Sequence, residues 1–188
     1  MGYAISERAP GAVSASRNKE EAARSAFAKE LLFFIPHLRA FAKGLCGDHR
    51  ADDLVQETLT KALTFQNQYT PGTNMRAWLF TILRNGFYTE IRKTRLEVED
   101  VGGWHADHVP QAACQDDAFS LTEFNSALSK LNADQREALM LVGASGFSYE
   151  EAAQICNVAV GTIKSRVSRA RESLTKLLPE LGYDSNPR

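Results

Sequence analysis

The sequence predicts an all-α fold of two small helical domains joined by a flexible linker, on three observations. No segment alternates polar and apolar residues with a period of two, as a half-buried strand would. Apolar residues instead recur at spacings of three and four through most of the chain. Residues 96–117 keep no period at all. A stretch of about twenty such residues is too long for an ordinary loop, and reads as a linker between two ordered halves.

The 188 residues are 44% hydrophobic and 24% charged, the balance of a soluble globular protein. The net charge of −1 rules out a bulk polyanion binder, so any nucleic-acid contact must come from local patches. The longest apolar run, residues 31–35, stops at Pro36 and is far too short to cross a bilayer. Residues 1–21 have no apolar core, hence no expected signal peptide; the chain is expected to stay in the cytoplasm, with no membrane partner. Cys46, Cys114 and Cys156 are too widely spaced for a disulfide framework. His105, His108 and Cys114 lack a fourth ligand at zinc spacing. No metal and no cofactor are expected.

Residues 1–17 are polar, contain Pro10 and Gly11, and are expected to be disordered. The first domain spans 18–95. It opens with a helix over 19–34. Pro36 suits the first turn of a second helix, carrying Leu38, Phe41, Ala42 and Leu45. A third helix, about 50–65, has Ala51, Leu54, Val55, Thr58, Leu59, Ala62 and Leu63 as one expected stripe. Its outer face is Asp53, Gln56, Glu57 and Thr60, which on pattern alone is a solvated face. Pro71 and Gly72 mark a turn in NQYTPGTN, residues 67–74. A fourth helix, 75–95, turns Leu79, Phe80, Leu83, Phe87 and Ile91 inward. Arg84, Tyr88, Arg92 and Arg95 line another side. Cations interleaved with an aromatic ring suit single-stranded nucleic acid; a core-edge ring beside solvated arginines fits equally well.

The second domain spans 118–179, with a tail at 180–188. Leu121, Phe124, Leu128 and Leu131 share a helix face. Asn132 and Gln135 are spaced as a capping box that opens the helix ADQREALMLVGA. Residues 147–178, FSYEEAAQICNVAVGTIKSRVSRARESLTKLL, then read as two helices joined by a tight turn. Ser148 and Glu151 form a second capping box. Asn157 sits at the reversal, where it tolerates a left-handed backbone. From about Val160, Ile163, Val167, Ala170, Leu174 and Leu177 form a buried stripe. Thr162, Ser165, Arg166 and Arg169 lie opposite, with Lys164 and Arg171 on the flanks. Hydroxyls and cations on the exposed face of such a second helix are what a DNA major groove requires.

From residue 22 to 178 the chain resembles bacterial sigma factors of the extracytoplasmic-function (ECF) group. DDLVQETLTKAL (52–63) is similar to the region 2 helix that docks on the coiled coil of the polymerase β′ subunit. NMRAWLFTILRN (74–85) resembles the segment that melts and reads the −10 promoter element. LSKLNADQREALMLV (128–142) and the helix-turn-helix resemble region 4, which reads the −35 element. GTIKSR, residues 161–166, matches the start of the recognition helix. IPHLRAFAKGL, AWLFTILRN and the GFSYEEAA run are most similar to the general-stress-response subgroup. Members of that subgroup are held inactive by a small anti-sigma factor, which a response regulator removes.

The resemblance implies a promoter-specificity subunit whose partners are core RNA polymerase (β′ and β), promoter DNA and an anti-sigma protein. It assigns Asp53, Gln56, Glu57 and Thr60 to polymerase. Asn74, Arg76, Trp78, Arg84, Asn85, Tyr88 and Arg92 go to the −10 element, with Asn85 at a flipped base. Thr162, Lys164, Ser165, Arg166 and Arg169 go to the −35 element. With a long linker, the DNA- and polymerase-binding faces are expected to be exposed in the free protein. Ala159 departs from the Ser or Pro that often precedes the recognition helix, a lost cap worth about 1 kcal/mol. Other functions fit less well. A sigma-like adaptor that titrates an anti-sigma factor would carry a receiver domain. A dimeric helix-turn-helix regulator leaves residues 52–85 unexplained. An enzyme would need a nucleophile–base pair or a phosphate loop, and neither is visible.

Overall fold

The computed structural model describes residues 10–99 and 119–178, and every element among them is helical. The order is α1 (Pro10–Cys46), α2 (Asp48–Thr64), a 3-10 turn (Gln66–Gln68), α3 (Met75–Glu99), α4 (Phe119–Ser129), α5 (Ala133–Leu139), a π turn (Met140–Ala144), α6 (Tyr149–Cys156) and α7 (Val160–Leu177). The chain divides into a unit ending at Ile35 and a larger unit beginning at Pro36. In the first unit Leu31 is buried, whereas Leu32 and Phe33 are exposed and the Phe33 and Phe34 rings meet edge to face at 5.3 Å.

Two expectations for α1 are corrected. Residues 10–17 are helical rather than disordered, and the helix runs through Pro36 instead of restarting there. Pro10 takes the first position, where its missing N–H matters least, and the alanines, glutamates, lysines and arginines beyond it are strong helix formers. Pro36 forfeits one hydrogen bond and costs about 3 kcal/mol. The fully enclosed Leu38, Phe41 and Ala42 just beyond it supply hydrophobic burial that offsets that cost.

In the larger unit, the end of α1 forms a first bundle with α2 and α3. Gly47, at φ 77°, makes the sharp turn between α1 and α2, and its N–H donates to the Lys43 carbonyl at 2.9 Å. Without a Cβ, glycine takes this left-handed conformation at little steric cost. Ala51, Leu54, Val55, Thr58 and Ala62 are the buried stripe of α2. The Thr58 hydroxyl donates to the Leu54 carbonyl at 2.7 Å, so its burial leaves no unpaired donor. Leu59 is only half-buried and Leu63 is 49% exposed, against expectation. At 3.6 residues per turn Leu63 lies roughly 120° around the helix from Ala51. Leu79, Phe80, Leu83 and Phe87 of α3 close this core, with the Phe41 and Phe80 rings 4.9 Å apart. Ile91 is half-buried. The helix runs on to Glu99, past the expected boundary; residues 100–118, which include the remainder of the expected linker, lie outside the described residues, as do 1–9 and 179–188.

The second bundle packs α5 against α7 and α6 against α7, with Leu128, Leu131, Ala138, Leu141, Ile155, Ile163, Val167 and Leu174 in its core. Leu177, in the last turn of α7, is 39% exposed instead of buried. Asn132 caps α5, but its side chain accepts from the Asp134 N–H at 3.0 Å and forms no box with Gln135. The expected continuous helix 133–144 widens into a π turn: the Ser145 N–H donates to the Met140 carbonyl at 2.8 Å, and Gly146 comes next at φ 67°. A π turn inserts a residue into the helical ladder and redirects the chain beyond it. Here the redirected side chain is Phe147, buried at 3% exposure.

The two bundles are not separate. Helix α3 packs along α6, and the Phe80 and Phe147 rings meet edge to face at 4.8 Å. The expectation of exposed DNA- and polymerase-binding faces therefore fails for part of the −10 set: Arg76, Arg84 and Tyr88 are half-buried against the second bundle.

Candidate polymerase and promoter interfaces

The helix-turn-helix of α6 and α7 is built as its sequence requires. Ser148 Oγ accepts from the Glu151 N–H at 3.1 Å, and the Glu151 carboxylate accepts from the Ser148 N–H at 2.9 Å, so the capping box is complete. Asn157 closes α6 at φ 53°, ψ 50°. Ile163, Val167, Ala170 and Leu174 hold α7 to the bundle. Ala159 supplies no side-chain cap; the first turn is held instead by the Ala159 carbonyl, which accepts from Thr162 and Ile163.

On the outward side of α7, Lys164, Ser165 and Arg169 are exposed and Thr162 is half-buried. Lys164 Nζ stands 5.8 Å from the Tyr149 ring centre, and Ser165 Oγ donates to the Thr162 carbonyl at 2.9 Å. Arg166 is placed differently from expectation. It is half-buried, and its guanidinium donates to Asp134 of α5 at 2.5 Å. Arg166 therefore ties α7 to α5, while Lys164 and Arg169 are the outward cations.

On α2, Asp53, Gln56, Glu57 and Thr60 are all exposed on one face, opposite the buried stripe. Glu57 pairs with Lys61 at 2.6 Å, and the Thr60 hydroxyl donates to the Gln56 carbonyl at 2.9 Å. Such exposed pairs contribute little to stability, so this face is free to change partners.

The seven residues assigned to the −10 element, Asn74 at the start of α3 and six within it, fall into two groups. Asn74, Arg76, Arg84 and Tyr88 face the second bundle. Asn74 caps α3 by accepting from the Ala77 N–H at 3.1 Å, and its amide donates to Glu151 at 2.8 Å. Arg76 donates to the Ser145 carbonyl and stacks 4.3 Å from the Phe147 ring centre. Arg84 pairs with Glu137 of α5 at 2.8 Å and lies 4.7 Å from the Tyr88 ring centre. The Tyr88 hydroxyl makes long contacts, 3.4 Å each, with Asp134 and Glu137.

Trp78, Asn85 and Arg92 belong to the other group. Arg92 is exposed, with its Nε donating to the Tyr88 carbonyl at 3.2 Å. Trp78 and Asn85 line a recess of about 200 Å³ between α2 and α3, with Lys61, Phe65, Gln68, Ile82, Gly86 and Thr89. The Trp78 ring lies 5.3 Å from that of Tyr69. Apolar and aromatic walls with an amide and a cation at the rim can hold a planar heteroaromatic ring and read its edge.

Glu137 is the residue that sequence reasoning missed. Its side chain is fully enclosed, beside Arg84, Tyr88, Asp134 and Cys156. Burial pushes its carboxyl above the usual range, with Arg84 opposing that shift. Burial, the largest influence, would lower the Arg84 guanidinium, but the Glu137 charge together with Cys156, the Glu137 hydrogen bond and Tyr88 outweighs it, and the net shift is upward. The pair thus keeps Arg84 charged without fully offsetting the desolvation of Glu137, as expected of an enclosed acid facing a partly exposed base. Burial first, then the Glu137 charge, push the Cys156 thiol up to about 12. Tyr88 is raised for the same two reasons. Both groups stay neutral at physiological pH. A signal existed in the sequence: Glu137 shares a helix face with Met140 and Leu141, three and four residues on, and an acid on an apolar face needs a cation.

These features define a bipartite helix-turn-helix protein. Residues 34–97 match the family described as Sigma-70 region 2, and residues 121–174 that described as Sigma-70, region 4. The chain is 57% identical over 150 residues to the ECF RNA polymerase sigma factor EcfG of Rhodopseudomonas palustris, covering 79% of this chain and 83% of that one. It is 37% identical over 125 residues to the ECF RNA polymerase sigma factor SigC of Mycobacterium tuberculosis, covering 66% and 68%. It also resembles the sigma factor RpoE of Bartonella quintana, solved in complex with the anti-sigma factor NepR, with a TM-score of 0.74 and 52% identity over 82% of this chain and 98% of that one. The chain belongs to the ECF RNA polymerase sigma factors, which give RNA polymerase its promoter specificity. Its first bundle is region 2 and its second is region 4.

Proposed function

We propose that this sigma factor directs polymerase to a stress regulon, using the α2 face for core polymerase, the Asn85 recess for the −10 strand and α7 for the −35 duplex. The observation that carries the reading is the outward row Lys164, Ser165 and Arg169 on the second helix of a fully capped helix-turn-helix. Cations and a hydroxyl at that position meet phosphates and base edges in a major groove. The work is done in the cytoplasm, where transcription takes place. Among the described residues no helix is long and apolar enough to cross a membrane.

The solved relative is bound to the anti-sigma factor NepR, and we extend control by a NepR-type partner to this chain. In vitro transcription tests both parts. Core polymerase with this protein should initiate at a stress promoter that core alone ignores, and a NepR-type protein should abolish that initiation. Transcription unchanged by the sigma chain would sink the reading.

The α2 face gives a separate prediction. Changing Gln56 and Glu57 together to Ala should leave helicity intact, because exposed substitutions move stability by only about 0.5 kcal/mol. Affinity for core polymerase should fall by about tenfold or more, the effect of losing one or two interface contacts worth about 1 kcal/mol each. Unchanged affinity in a fluorescence titration would remove this face from the polymerase interface.

A further inference from the structure

We propose that Lys61 is a further strand-binding residue, held by Glu57 in the free chain and released to a strand phosphate when polymerase takes over the Glu57 carboxylate. Polymerase docking and −10 capture are thereby coupled through one ion pair of α2. Lys61 gains this role only if the α2 face and the recess do what is proposed for them above. Three observations support the exchange. First, the pair bridges two surfaces. Glu57 Oε1 lies 2.6 Å from Lys61 Nζ, four residues further along α2. Glu57 belongs to the exposed face with Asp53, Gln56 and Thr60, whereas Lys61 lines the recess. About one helical turn therefore separates a carboxylate on the polymerase side from an ammonium on the strand side.

Second, Lys61 is the one charged residue in the lining of the recess; every other lining residue is neutral. A strand whose base enters the recess brings its phosphates to the rim, and phosphate contacts are what fix a strand in register. The Lys61 ammonium stands 3.9 Å from where a Cβ on Gly86 would lie. It thus reaches α3 beside Asn85, the residue assigned to the flipped base. The Lys61 carbonyl accepts from the Phe65 N–H at 2.9 Å, which anchors the root of the side chain in the last turn of α2. While Glu57 is paired, the ammonium is neutralised and the nearby carboxylate repels phosphate.

Third, the pair is easily exchanged. The Lys61 and Glu57 side chains are 39% and 52% exposed, and an ion pair so open to water is weak. Glu ahead of Lys at this spacing is the favourable order on a helix, so the pair forms in the free chain. Among the described residues Glu57 is the only carboxylate at ion-pair distance from Lys61. A cation of polymerase that meets Glu57 in a drier interface competes with Lys61 for it. Once displaced, Lys61 has no second carboxylate to turn to, and the strand phosphate becomes its partner.

Lys61→Gln removes the charge and Lys61→Arg keeps it. Each full-length variant is measured for affinity to core polymerase and then, as holoenzyme, for binding of a labelled −10 single strand across a salt series. Lys61→Gln should bind core about twofold to fivefold more tightly, because no exposed pair has to break first. Its holoenzyme should bind the strand more weakly, with a salt slope less steep by about 0.7, the share of one phosphate of a single strand. Lys61→Arg should keep the wild-type slope. A lysine with only a structural role would change thermal unfolding and leave the slope alone. If Lys61→Gln loses helicity, Lys61→Met, which keeps the apolar stem, takes its place.

An unchanged salt slope in the Lys61→Gln holoenzyme would overturn the strand contact. Unchanged or weaker binding to core would overturn the exchange with polymerase. Weakening confined to one base of the strand, at an unchanged slope, would make Lys61 a reader of that base and overturn the phosphate assignment. A wild-type holoenzyme that captures no −10 strand would sink the proposed function, and the strand contact with it. Wild-type capture beside an unaltered Lys61→Gln sinks the role of Lys61 alone.

Discussion

Replacing Lys164 and Arg169 together with Ala should weaken binding of holoenzyme to a −35 duplex by about a hundredfold, since a good base contact discriminates by about 1–3 kcal/mol. If either residue contacts phosphate instead, its loss should lower the salt dependence of binding by about one unit of slope and weaken all sequences alike. Neither side chain belongs to the core of the bundle: both are exposed, Lys164 meets only the Tyr149 ring at 5.8 Å, and the α7 stripe Ile163, Val167, Ala170 and Leu174 is untouched. Arg166→Ala should behave differently. It strips Asp134 of its 2.5 Å partner and loosens α5 from α7, so it should lower the melting temperature of the free protein as well as promoter affinity. Equilibrium binding across a salt series, with thermal unfolding alongside, separates the cases. An unchanged −35 affinity for the double variant would show that α7 does not enter the groove with this face.

Much of region 4 was legible because its requirements are local. A Ser and a Glu three residues apart can cap a helix without help from elsewhere, and Asn157 tolerates the left-handed backbone on its own. Periodicity was enough for Ile163, Val167, Ala170 and Leu174 of the α7 stripe, but not for Leu177 in the last turn, which is exposed. The π turn was not legible. Nothing in MLVGA forbids an α-helix, and the widening is tied to a long-range event, the burial of Phe147 against Phe80. Helix α1 misled for a related reason. Pro36 is a strong local signal to stop, and it was overruled by the burial of Leu38, Phe41 and Ala42.

The candidate −10 site shows the same division. Sequence pattern put Arg84 and Tyr88 on one side of α3 and left two uses open, a nucleic-acid track or a core-edge ring. In the free protein both residues are occupied by region 4, a contact between segments distant in the chain that no periodicity reveals. Asn74 shows how local and distant roles coincide. Its side chain caps α3, as its position before the helix suggests, and its amide reaches Glu151, which is itself part of the α6 cap. Two helix starts are thereby tied together, and separating the bundles would leave each cap intact.

Asn85→Ala should impair opening and capture of the −10 strand by about tenfold to a hundredfold, the cost of leaving a buried base edge without its hydrogen-bond partner, about 1–3 kcal/mol. A base turned out of the duplex loses its stacking, and a pocket must replace it. Phe65, Trp78 and Ile82 supply the apolar walls of the recess, and Asn85, Gln68 and Lys61 supply polar groups around it. Its lining includes none of the residues that meet region 4. Binding to −35 duplex should be unchanged, because Asn85 lies in region 2 and is exposed on α3. A fluorescent base analogue placed along the −10 strand reports capture directly. Its signal should drop in the Asn85→Ala holoenzyme at one position of the strand and not at its neighbours. An equal drop at all positions would mean that Asn85 acts on the strand backbone, and no drop at all would mean that the recess holds no base.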